Sequence, residues 1–394
     1  MTTTQTTAAL AADENELVER ALALVPALSG RALAADLNAR LDPHSVDELV
    51  SAGLLKIHQP AAFGGYEMSH RTAPIRIAKA LCQASGSVAW FQSIMATHAW
   101  LLGCFPLTAQ TAVWSENPDA LISTAFSTVR CDAAAVRGGF QLSGAWEFSS
   151  GCHYADWVIV RALVSTEAGP SSKAMLVPMS QADITGTWNP SGLRGSGSNN
   201  IAIHESFVPD TQTVDLLSLR GQQTPGAMAH SNPMYSTAFS AVFPYCVAVV
   251  GLGLATTAID IFRSLAKANP VRQASVAHQL RYAGASAAVD AAENVLQHAA
   301  DAIAAAETGE LRLSTQERVR LKRDYSYATM IAARAVEELA PATGAHGLDH
   351  DAPFQRARRD LHAVASHFGM NWDANAEQFG RVAFDLPSTD PMNG

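Results

Sequence analysis

Residues 192–209 decide the fold of this chain, and they read Gly-Leu-Arg-Gly-Ser-Gly-Ser-Asn-Asn-Ile-Ala-Ile-His-Glu-Ser-Phe-Val-Pro. Gly192, Gly195 and Gly197 allow tight turns and a close approach to another group, because glycine carries no Cβ. Serine and asparagine side chains among them add short hydrogen-bonding groups. The apolar residues that follow predict a strand that ends before Pro209. The stretch therefore predicts a polar glycine loop that leads into a β-strand, although a simple hairpin loop has a similar composition.

The composition is that of a globular protein. The chain is 48% hydrophobic and 16% charged. Its length of 394 residues is enough for two or three domains with buried cores. A net charge of -9 argues against nucleic acid or an anionic membrane as a partner. The cysteines form no Cys-x-x-Cys pair, which favours reduced thiols and a cytoplasmic location. Residues 1–10 have no basic start and no long apolar run, so we expect no signal peptide.

One uncharged segment has to be distinguished from a membrane span. It lies between His230 and Asp260, and Val247–Ala255 within it is wholly apolar. Serine, threonine and proline residues dilute the run on both sides. A fully buried helix of a bundle explains the segment better than a membrane span.

The sequence pattern changes twice along the chain. Residues 11–115 carry apolar residues near helical spacing, and short β-type runs bounded by Gly, Ser and Pro fill residues 121–214. The remainder is helical again, with an alanine-rich stretch and a capping box at Ser314-Thr-Gln-Glu317. We therefore predict an N-terminal helical domain over residues 1–117, a central β-domain over 118–215 and a C-terminal helical bundle over 216–394.

A second informative segment runs Trp146-Glu-Phe-Ser-Ser-Gly-Cys-His-Tyr-Ala-Asp-Trp157. By itself it reads as a β-hairpin with aromatic core residues. Together with the glycine loop it resembles the Trp-x-x-Ser-Ser-Gly-x-x-x-Ala-x-Trp run of flavin-dependent hydroxylases that act on phenols. These enzymes are a branch of the acyl-CoA dehydrogenase fold, whose order of helical domain, β-domain and helical bundle matches the order predicted above. The resemblance covers about residues 10–387.

The resemblance implies a fold and a set of cofactor residues. The expected fold is α+β and multidomain, with an N-terminal helical domain, a central β-barrel and a C-terminal four-helix bundle. Ser150 would lie beside the flavin N5, where its hydroxyl would hold the N5 proton and prolong the life of a C4a-hydroperoxide. Ser149 belongs to the same run, and Ser123 and Thr124 match a position that faces the isoalloxazine ring. Trp90 resembles an aromatic residue near the flavin, although packing in the core explains it equally well.

A third segment resembles the Gly-x-x-Gly…Pro…Arg-Asp signature of the same fold. Gly344 and Gly347 would allow a tight turn where cofactor phosphates approach from a neighbouring subunit. Arg359 and Asp360 are expected to form a structural ion pair rather than to act in catalysis. Arg272 follows Asn-Pro at a position where the family often has an arginine for the flavin phosphate, and an ordinary surface arginine is the alternative.

The residues after this signature distinguish two branches of the fold. In many acyl-CoA dehydrogenases a glutamate stands nine residues after the corresponding arginine and removes the substrate α-proton. That position is Phe368 here, and it is preceded by His367. A histidine is characteristic of the aromatic hydroxylases, and its unperturbed pKa is about 6.5. We predict that His367 takes the proton of a phenol or orients an indole N–H; a buried histidine bonded to backbone carbonyls is the alternative.

Other signals do not support a site. His362 and His367 are five residues apart, about 140° around a helix, so they do not share a helical face, and we expect no metal. Gly251-Leu-Gly253 lacks the third glycine of a dinucleotide loop and lies in an apolar helical run, which favours helix packing. The two serines at Ser149 and Ser150 lack the Gly-x-Ser-x-Gly context of a serine hydrolase.

The sequence thus favours the oxygenase component of a two-component flavin-dependent monooxygenase, similar to phenol, hydroxyphenylacetate and secosteroid hydroxylases. The resemblance implies FMNH2 or FADH2 from a separate reductase, addition of O2 at C4a and hydroxylation of a phenol or an indole. It also implies a homotetramer. The alternatives are an acyl-CoA dehydrogenase, an N- or S-oxygenase on the same fold, and a non-catalytic helical scaffold.

Overall fold

Helices fill the first part of the chain, as the apolar spacing predicts. The computed structural model describes residues 13–166, 169–221 and 224–392, so the expectation for residues 1–10 lies outside the described residues. The N-terminal helices are α1 (Glu14–Asn38), α2 (Pro43–Ser51), α3 (Ala73–Cys82), α4 (Gly86–Gly103) and α5 (Leu107–Trp114). Every residue of α4 is buried, so this helix is the central packing element of the N-terminal part.

The β-type runs form strands between the two helical parts. They are β1 (Ile122–Ala125), β2 (Ser127–Val136), β3 (Gly139–Ser149), β4 (Trp157–Thr166), β5 (Gly169–Pro178), β6 (Asp183–Thr185), β7 (Asn199–Pro209) and β8 (Thr213–Asp215). The described strands make two four-stranded sheets, with the orders β1-β4-β5-β8 and β2-β3-β7-β6. Apart from the parallel pair of β1 and β4, the strand pairs are antiparallel.

The expected β-barrel is not confirmed, because neither sheet of the described strands closes on itself. The two sheets are instead joined by a shared core and by side-chain hydrogen bonds. The indole Nε1 of Trp146 in β3 donates to the carbonyl of Arg161 in β4 at 2.7 Å, and the hydroxyl of Thr128 in β2 donates to the same oxygen at 3.3 Å. Side chains therefore bridge the gap that a strand ladder would fill in a closed barrel.

The remainder of the described chain is largely helical. It contains α6 (Pro225–Ala229), α7 (Phe239–Lys267), α8 (Pro270–Ala274), α9 (Val276–Glu307), α10 (Thr315–Leu339), α11 (Pro353–Ala365) and α12 (Trp372–Ala383). The capping box at the start of α10 is confirmed, with Ser314 and Glu317 each bonded to the other's backbone N–H.

Helix α7 contains the uncharged segment. By length and composition it could cross a membrane, but 89% of its most apolar window is buried inside the protein, against α3, α4, α9, α10 and α11. A Cβ at Gly253 would meet the carbonyl oxygen of Ala78 in α3 at 2.9 Å. The Gly-Leu-Gly run thus serves close helix packing, as the sequence favours.

The glycine loop lies between α11 and the start of α4, in close contact with both. A Cβ at Gly192 would collide with the carbonyl group of Arg359, and a Cβ at Gly195 would lie 3.0 Å from the Cβ of Ser87. The carboxylate of Asp360 accepts a hydrogen bond of 2.6 Å from the backbone N–H of Leu193. Close backbone approach at Gly192 is therefore confirmed, and α11 holds the loop in place.

Arg359 and Asp360 do not form the expected ion pair with each other. Arg359 forms its salt bridge with Asp36 of α1 at 3.0 Å, while Asp360 bonds to the glycine loop. Neighbouring residues on a helix project about 100° apart, so the two side chains face different elements. Burial raises the pKa of Asp360 to about 7. Both residues are structural, and each connects α11 to a different part of the chain.

Candidate active site

Ser150 lies at a turn that takes the chain out of β3. Phe148 has a left-handed φ of 63°, and the backbone N–H of Ser150 donates to the Phe148 carbonyl at 3.1 Å. Gly151 follows with φ of 72°, and a Cβ there would meet the ring of Phe91 at 2.8 Å. The turn brings the Ser150 hydroxyl against α4, where the indole Nε1 of Trp90 donates to Ser150 Oγ at 3.2 Å.

Ser123 and Ser149 support this turn from behind. The hydroxyl of Ser123 donates to the carbonyl of Ser150 at 2.8 Å and lies 2.7 Å from the hydroxyl oxygen of Ser149. Both serine side chains are fully buried. Both hydroxyls are thus already in hydrogen-bond contact within the protein, and they lie beneath Ser150. Direct contact of either serine with a cofactor stays a prediction.

Trp90 also connects Ser150 to His367. The His367 ring lies 5.7 Å from the Trp90 ring in an edge-on arrangement and 6.1 Å from the ring of Phe243. Its Nδ1 accepts a hydrogen bond of 3.1 Å from the backbone N–H of Gly369. Three residues that the sequence analysis singled out separately therefore meet at one place.

The bond to Gly369 fixes the chemical form of His367. Burial lowers the pKa of His367 to about 4, so the ring is neutral at pH 7. A neutral imidazole that accepts at Nδ1 carries its proton on Nε2. Nε2 of His367 is therefore a hydrogen-bond donor in this arrangement. The sequence predicts the opposite role, in which His367 accepts the proton of a phenol.

Sequence reasoning missed His98, which lies in the middle of α4. Its Nδ1 is 2.8 Å from the carbonyl oxygen of Ile122, and its Nε2 is 2.8 Å from the hydroxyl of Thr124. Burial lowers the pKa of His98 to about 4. Since a neutral His98 donates from Nδ1, its Nε2 accepts the proton of Thr124 and leaves the Thr124 oxygen with free lone pairs. The His98 ring also stacks on Phe243 at 6.5 Å.

Arg272 and Gly344 form a second group, on the helical bundle. Arg272 in α8 donates from Nη2 to the carbonyl of Thr343 at 3.1 Å, and a Cβ at Gly344 would lie 3.2 Å from the same nitrogen. Gly344 itself is exposed. Gly347 is buried, and a Cβ there would collide with the Thr343 side chain, so internal packing explains this glycine. A guanidinium next to an exposed glycine suits a phosphate group.

The residues present fit a flavin. At the first group, Ser150 offers a buried hydroxyl oxygen that can accept an N–H hydrogen bond, beside the aromatic face of Trp90. At the second group, Arg272 offers guanidinium N–H donors to an anion. The donor set therefore suits the N5 edge of a flavin ring at one group and a flavin phosphate at the other.

The remaining histidines near this segment do not join the site. His362 is half-exposed and bonds to Glu337, which also pairs with Arg358. Among the residues that the structure describes, there is no group of three or more histidine, cysteine or acidic side chains that could hold a metal ion. The absence of a metal from the complete chain stays a prediction.

Comparison with known proteins identifies relatives along nearly the whole chain. Residues 245–372 match the family model of the acyl-CoA dehydrogenase C-terminal domain. The chain is 33% identical over 364 residues to the oxygenase component of FADH(2)-dependent resorcinol hydroxylase of Rhizobium sp. (strain MTP-10005), and the match covers 88% of each chain. It is 30% identical over 385 residues to the flavin-dependent monooxygenase oxygenase subunit HsaA of Rhodococcus jostii (strain RHA1), covering 95% of this chain and all of the relative.

Solved structures show the same similarity. The 3-HSA hydroxylase from Rhodococcus sp. RHA1 superposes with a TM-score of 0.90 at 28% identity, over 96% of this chain and 100% of that one. XiaF from Streptomyces sp., solved in complex with FADH2 and glycerol, superposes with a TM-score of 0.87 at 25% identity, over 96% and 97% of the two chains. The similarity therefore extends over nearly the whole chain.

Proposed function

This chain belongs to the oxygenase components of flavin-dependent monooxygenases, and we propose that it hydroxylates an aromatic ring held between Ser150 and His367. It is an oxidoreductase with the acyl-CoA dehydrogenase fold and uses reduced flavin and O2. The observation that carries the proposal is the position of Trp90. Its indole nitrogen bonds to Ser150, and its ring meets His367 edge-on, so one residue joins the two sides of the site.

On the cofactor side, Ser150 is proposed to hold the proton of the flavin N5 by accepting its N–H. Reduced flavin and O2, when bound, supply the oxygen atom that is added to the ring. The Ser150 oxygen is fixed by Trp90 on one side and by the buried Ser123 beneath its carbonyl. Because the Ser150 oxygen is held in position before the cofactor binds, it costs no reorganisation during the reaction.

On the substrate side, we assign Thr124 to the substrate rather than to the flavin ring that the resemblance implies, and we propose that His367 and Thr124 bind the polar group of the aromatic ring. His367 presents an N–H donor to a phenolic oxygen, and Thr124 presents lone pairs to a phenolic O–H or an indole N–H. When Thr124 accepts a hydrogen bond from the phenolic O–H, it polarises that bond and raises the electron density of the ring, which favours attack of the ring on an electrophilic oxygen. The surrounding rings of Trp90 and Phe243 exclude water from the site.

The test supplies the purified chain with FMNH2 or FADH2 from a separate reductase and offers phenols, indoles and thioethers. We expect hydroxylated phenols or indoles from the unchanged chain. His367→Ala should keep its affinity for reduced flavin but yield about tenfold less product and correspondingly more H2O2. His362→Ala is the matched control, because His362 bonds to Glu337 outside the site. A normal yield from His367→Ala would remove this residue from the proposal.

The same panel decides between the alternatives. Oxidation of thioethers or amines without oxidation of phenols would favour an S- or N-oxygenase on this fold. Reduction of a dye by an acyl-CoA would favour a dehydrogenase, although Phe368 occupies the expected glutamate position and its side chain is 74% exposed. Failure to bind either flavin would favour a scaffold without catalytic activity.

We also propose the domain layout and a homotetramer in the cytoplasm. The predicted boundaries at residues 117/118 and 215/216 fall between α5 and β1 and at the end of β8. Large apolar side chains are exposed on and around α8 and α9, as a subunit interface requires. They are Leu265, Val271, Val276, Leu280 and Leu348. Light scattering should give about four times the 41.7 kDa chain mass; a stable monomer would contradict the assembly.

A further inference from the structure

Two buried hydroxyl groups at the start of α7 have no hydrogen-bond partner among the residues that the structure describes. They are the Oγ1 of Thr237 and the Oγ of Ser240, and each of these residues is 4% exposed. Most buried hydroxyls in folded proteins are hydrogen-bonded. Two exceptions within four residues therefore indicate a place where a ligand supplies the missing partner.

The start of α7 offers hydrogen-bond donors from the backbone as well. The N-cap residue is Ala238, which has no side-chain oxygen, and its side chain makes no capping hydrogen bond. The first N–H groups of a helix have no partner within the helix, and they form its positive end. Thr237 directly precedes Ala238, and Ser240 lies in the first turn of this 29-residue helix. These donors together suit an oxygen atom that has lone pairs to offer.

Ser240 lies on the face of α7 that is turned towards His367. Residues three and four positions apart share one face of a helix, so Ser240 shares its face with Phe243 and Pro244. The Phe243 ring is 6.1 Å from the His367 ring, and the Cβ of Pro244 is 3.7 Å from the position of a Cβ at Gly369. One helical turn, about 5.4 Å, therefore separates Ser240 from the part of α7 beside the proposed substrate site.

Aromatic rings connect the start of α7 to that site. The Phe239 ring stacks on Phe243 at 5.0 Å and on Trp100 at 6.5 Å, and it lies 5.8 Å from the ring of Phe126. The three phenylalanines are half-buried. An apolar wall thus runs from the surroundings of His367 to the first turn of α7. Such a wall suits the carbon atoms between the reacting ring of a substrate and a second polar group.

We propose that Ser240 and Thr237 are specificity residues that bind an uncharged carbonyl oxygen on the side chain of the aromatic substrate. This inference rests on the proposed function, which places the reacting ring beside His367. A carbonyl oxygen has two lone pairs, so it accepts from both hydroxyls, or from one hydroxyl and a backbone N–H of the first turn. A carboxylate suits the place less well, because a buried charge needs a charged partner and residues 231–259 contain no charged side chain.

Ser240→Ala separates a binding role from a structural one. Without substrate the Ser240 hydroxyl has no partner to lose, so its removal should not lower the free energy of unfolding. With a phenol that carries a carbonyl group, the same change removes one hydrogen bond. We expect kcat/KM for that phenol to fall about fivefold, and kcat/KM for a phenol with a plain alkyl chain to change less than about twofold.

The measurements are kcat/KM for three para-substituted phenols and the free energy of unfolding in urea. The phenols are butylphenol, its analogue with a ketone at the third chain carbon, and hydroxyphenylpropanoate, which carries a carboxylate at the same distance from the ring. The unchanged chain should prefer the ketone to butylphenol by about tenfold, because a site built to donate hydrogen bonds discriminates against an analogue that lacks the acceptor. It should also prefer the ketone to the carboxylate.

Ser93→Ala is the matched control. Ser93 is a buried serine on α4, and its hydroxyl donates to the carbonyl of Cys246 in α7 at 2.8 Å. This variant should lose stability and keep the preference for the ketone, which is the reverse of the result expected for Ser240→Ala. If Ser240→Ala does not fold, Thr237→Val removes the second hydroxyl with little change in shape and should reduce the same preference.

The outcomes separate this inference from the proposed function. Hydroxylation of butylphenol and the ketone with equal efficiency by the unchanged chain overturns the carbonyl site and leaves the proposed function in place. An unchanged preference in Ser240→Ala and Thr237→Val does the same. A loss of stability in Ser240→Ala without substrate shows that the hydroxyl has a structural role, and a preference for the carboxylate overturns the choice of an uncharged group. Failure to hydroxylate any phenol or indole contradicts the proposed function and this inference with it.

Discussion

The group around Ser150 and the group around Arg272 differ in how far one chain completes them. Ser150 has hydrogen-bond partners from α4 and the glycine loop, and all of them are buried. Among the described residues, the Arg272 guanidinium donates to one backbone carbonyl, that of Thr343, beside the exposed Gly344. On the proposed function, the flavin ring therefore binds a site that one chain has already arranged. We propose that the phosphate end binds at the surface beside Arg272, which a second copy can complete.

The largest expected effect comes from breaking the contact between the glycine loop and α11, which supports the group around Ser150. In Gly192→Ala, the new Cβ collides with the carbonyl group of Arg359, and backbone atoms on both sides must shift. We expect a loss of about 3 kcal/mol or more in the free energy of unfolding, as overpacking against backbone produces. Urea denaturation gives this value, and flavin titration gives the accompanying loss of affinity.

Gly186→Ala is the control for this change. Gly186 precedes the same loop, and a Cβ there meets nothing within 4 Å, so its effect should stay within about 0.5 kcal/mol. Equal stability of the two variants would show that the loop does not depend on contact with α11. The comparison of the two groups would then lose its structural basis.

Glycine chemistry explains why this part of the site could be predicted from the sequence. A glycine-rich loop followed by a strand has few physical explanations, and close backbone approach at Gly192 is one of them. The helix–strand–helix order was also predictable, because apolar periodicity is a local property. The capping box at Ser314 and the burial of α7 follow from the same local rules.

Other features depend on residues that are distant in the sequence. Arg359 pairs with Asp36, more than three hundred residues earlier, and no local pattern shows this partner. His98 lies in a helix that is buried on every side, so its bonds to Ile122 and Thr124 become visible only when the strand packs on α4. The barrel expectation came from the family resemblance alone, and the sheets of the described strands do not close.

The second prediction concerns the pH dependence that a dry, neutral site creates. His98 has a pKa of about 4 in the folded chain and about 6.5 when unfolded. Its neutral form therefore contributes stability that is fully present above pH 6.5 and is lost as the pH falls towards 4. The pKa of His367, also about 4, acts in the same direction. Between pH 7 and pH 5, His98 alone should account for about 2 kcal/mol of lost stability.

His98→Gln removes this titration while retaining a polar side chain. Its free energy of unfolding should fall about 2 kcal/mol less than that of the unchanged chain between pH 7 and pH 5, as urea denaturation at each pH measures. His346→Gln is the control, because the His346 side chain is 96% exposed. Parallel pH profiles for His98→Gln and the unchanged chain would contradict a neutral, buried His98.

The smallest expected effect tests the group around Arg272. Arg272→Ala should weaken FMN binding about tenfold, the usual size of one charge-assisted hydrogen bond, and leave riboflavin binding unchanged. Riboflavin is the matched ligand because it has the same ring without the phosphate. Arg263→Ala is the control variant, since Arg263 already pairs with Asp260 on the bundle surface. Isothermal titration of both ligands against each variant gives the four affinities.

Protein concentration then distinguishes a complete group from a shared one. If Arg272 reaches the phosphate of a flavin bound to another copy, the preference for FMN over riboflavin must decline as dilution separates the copies. Riboflavin affinity should stay constant over the same range, because the Ser150 group belongs to one chain. A preference that persists in the isolated monomer would place Arg272 and Ser150 on the same flavin. Loss of riboflavin affinity on dilution would instead show that Ser150 also depends on the neighbouring copy.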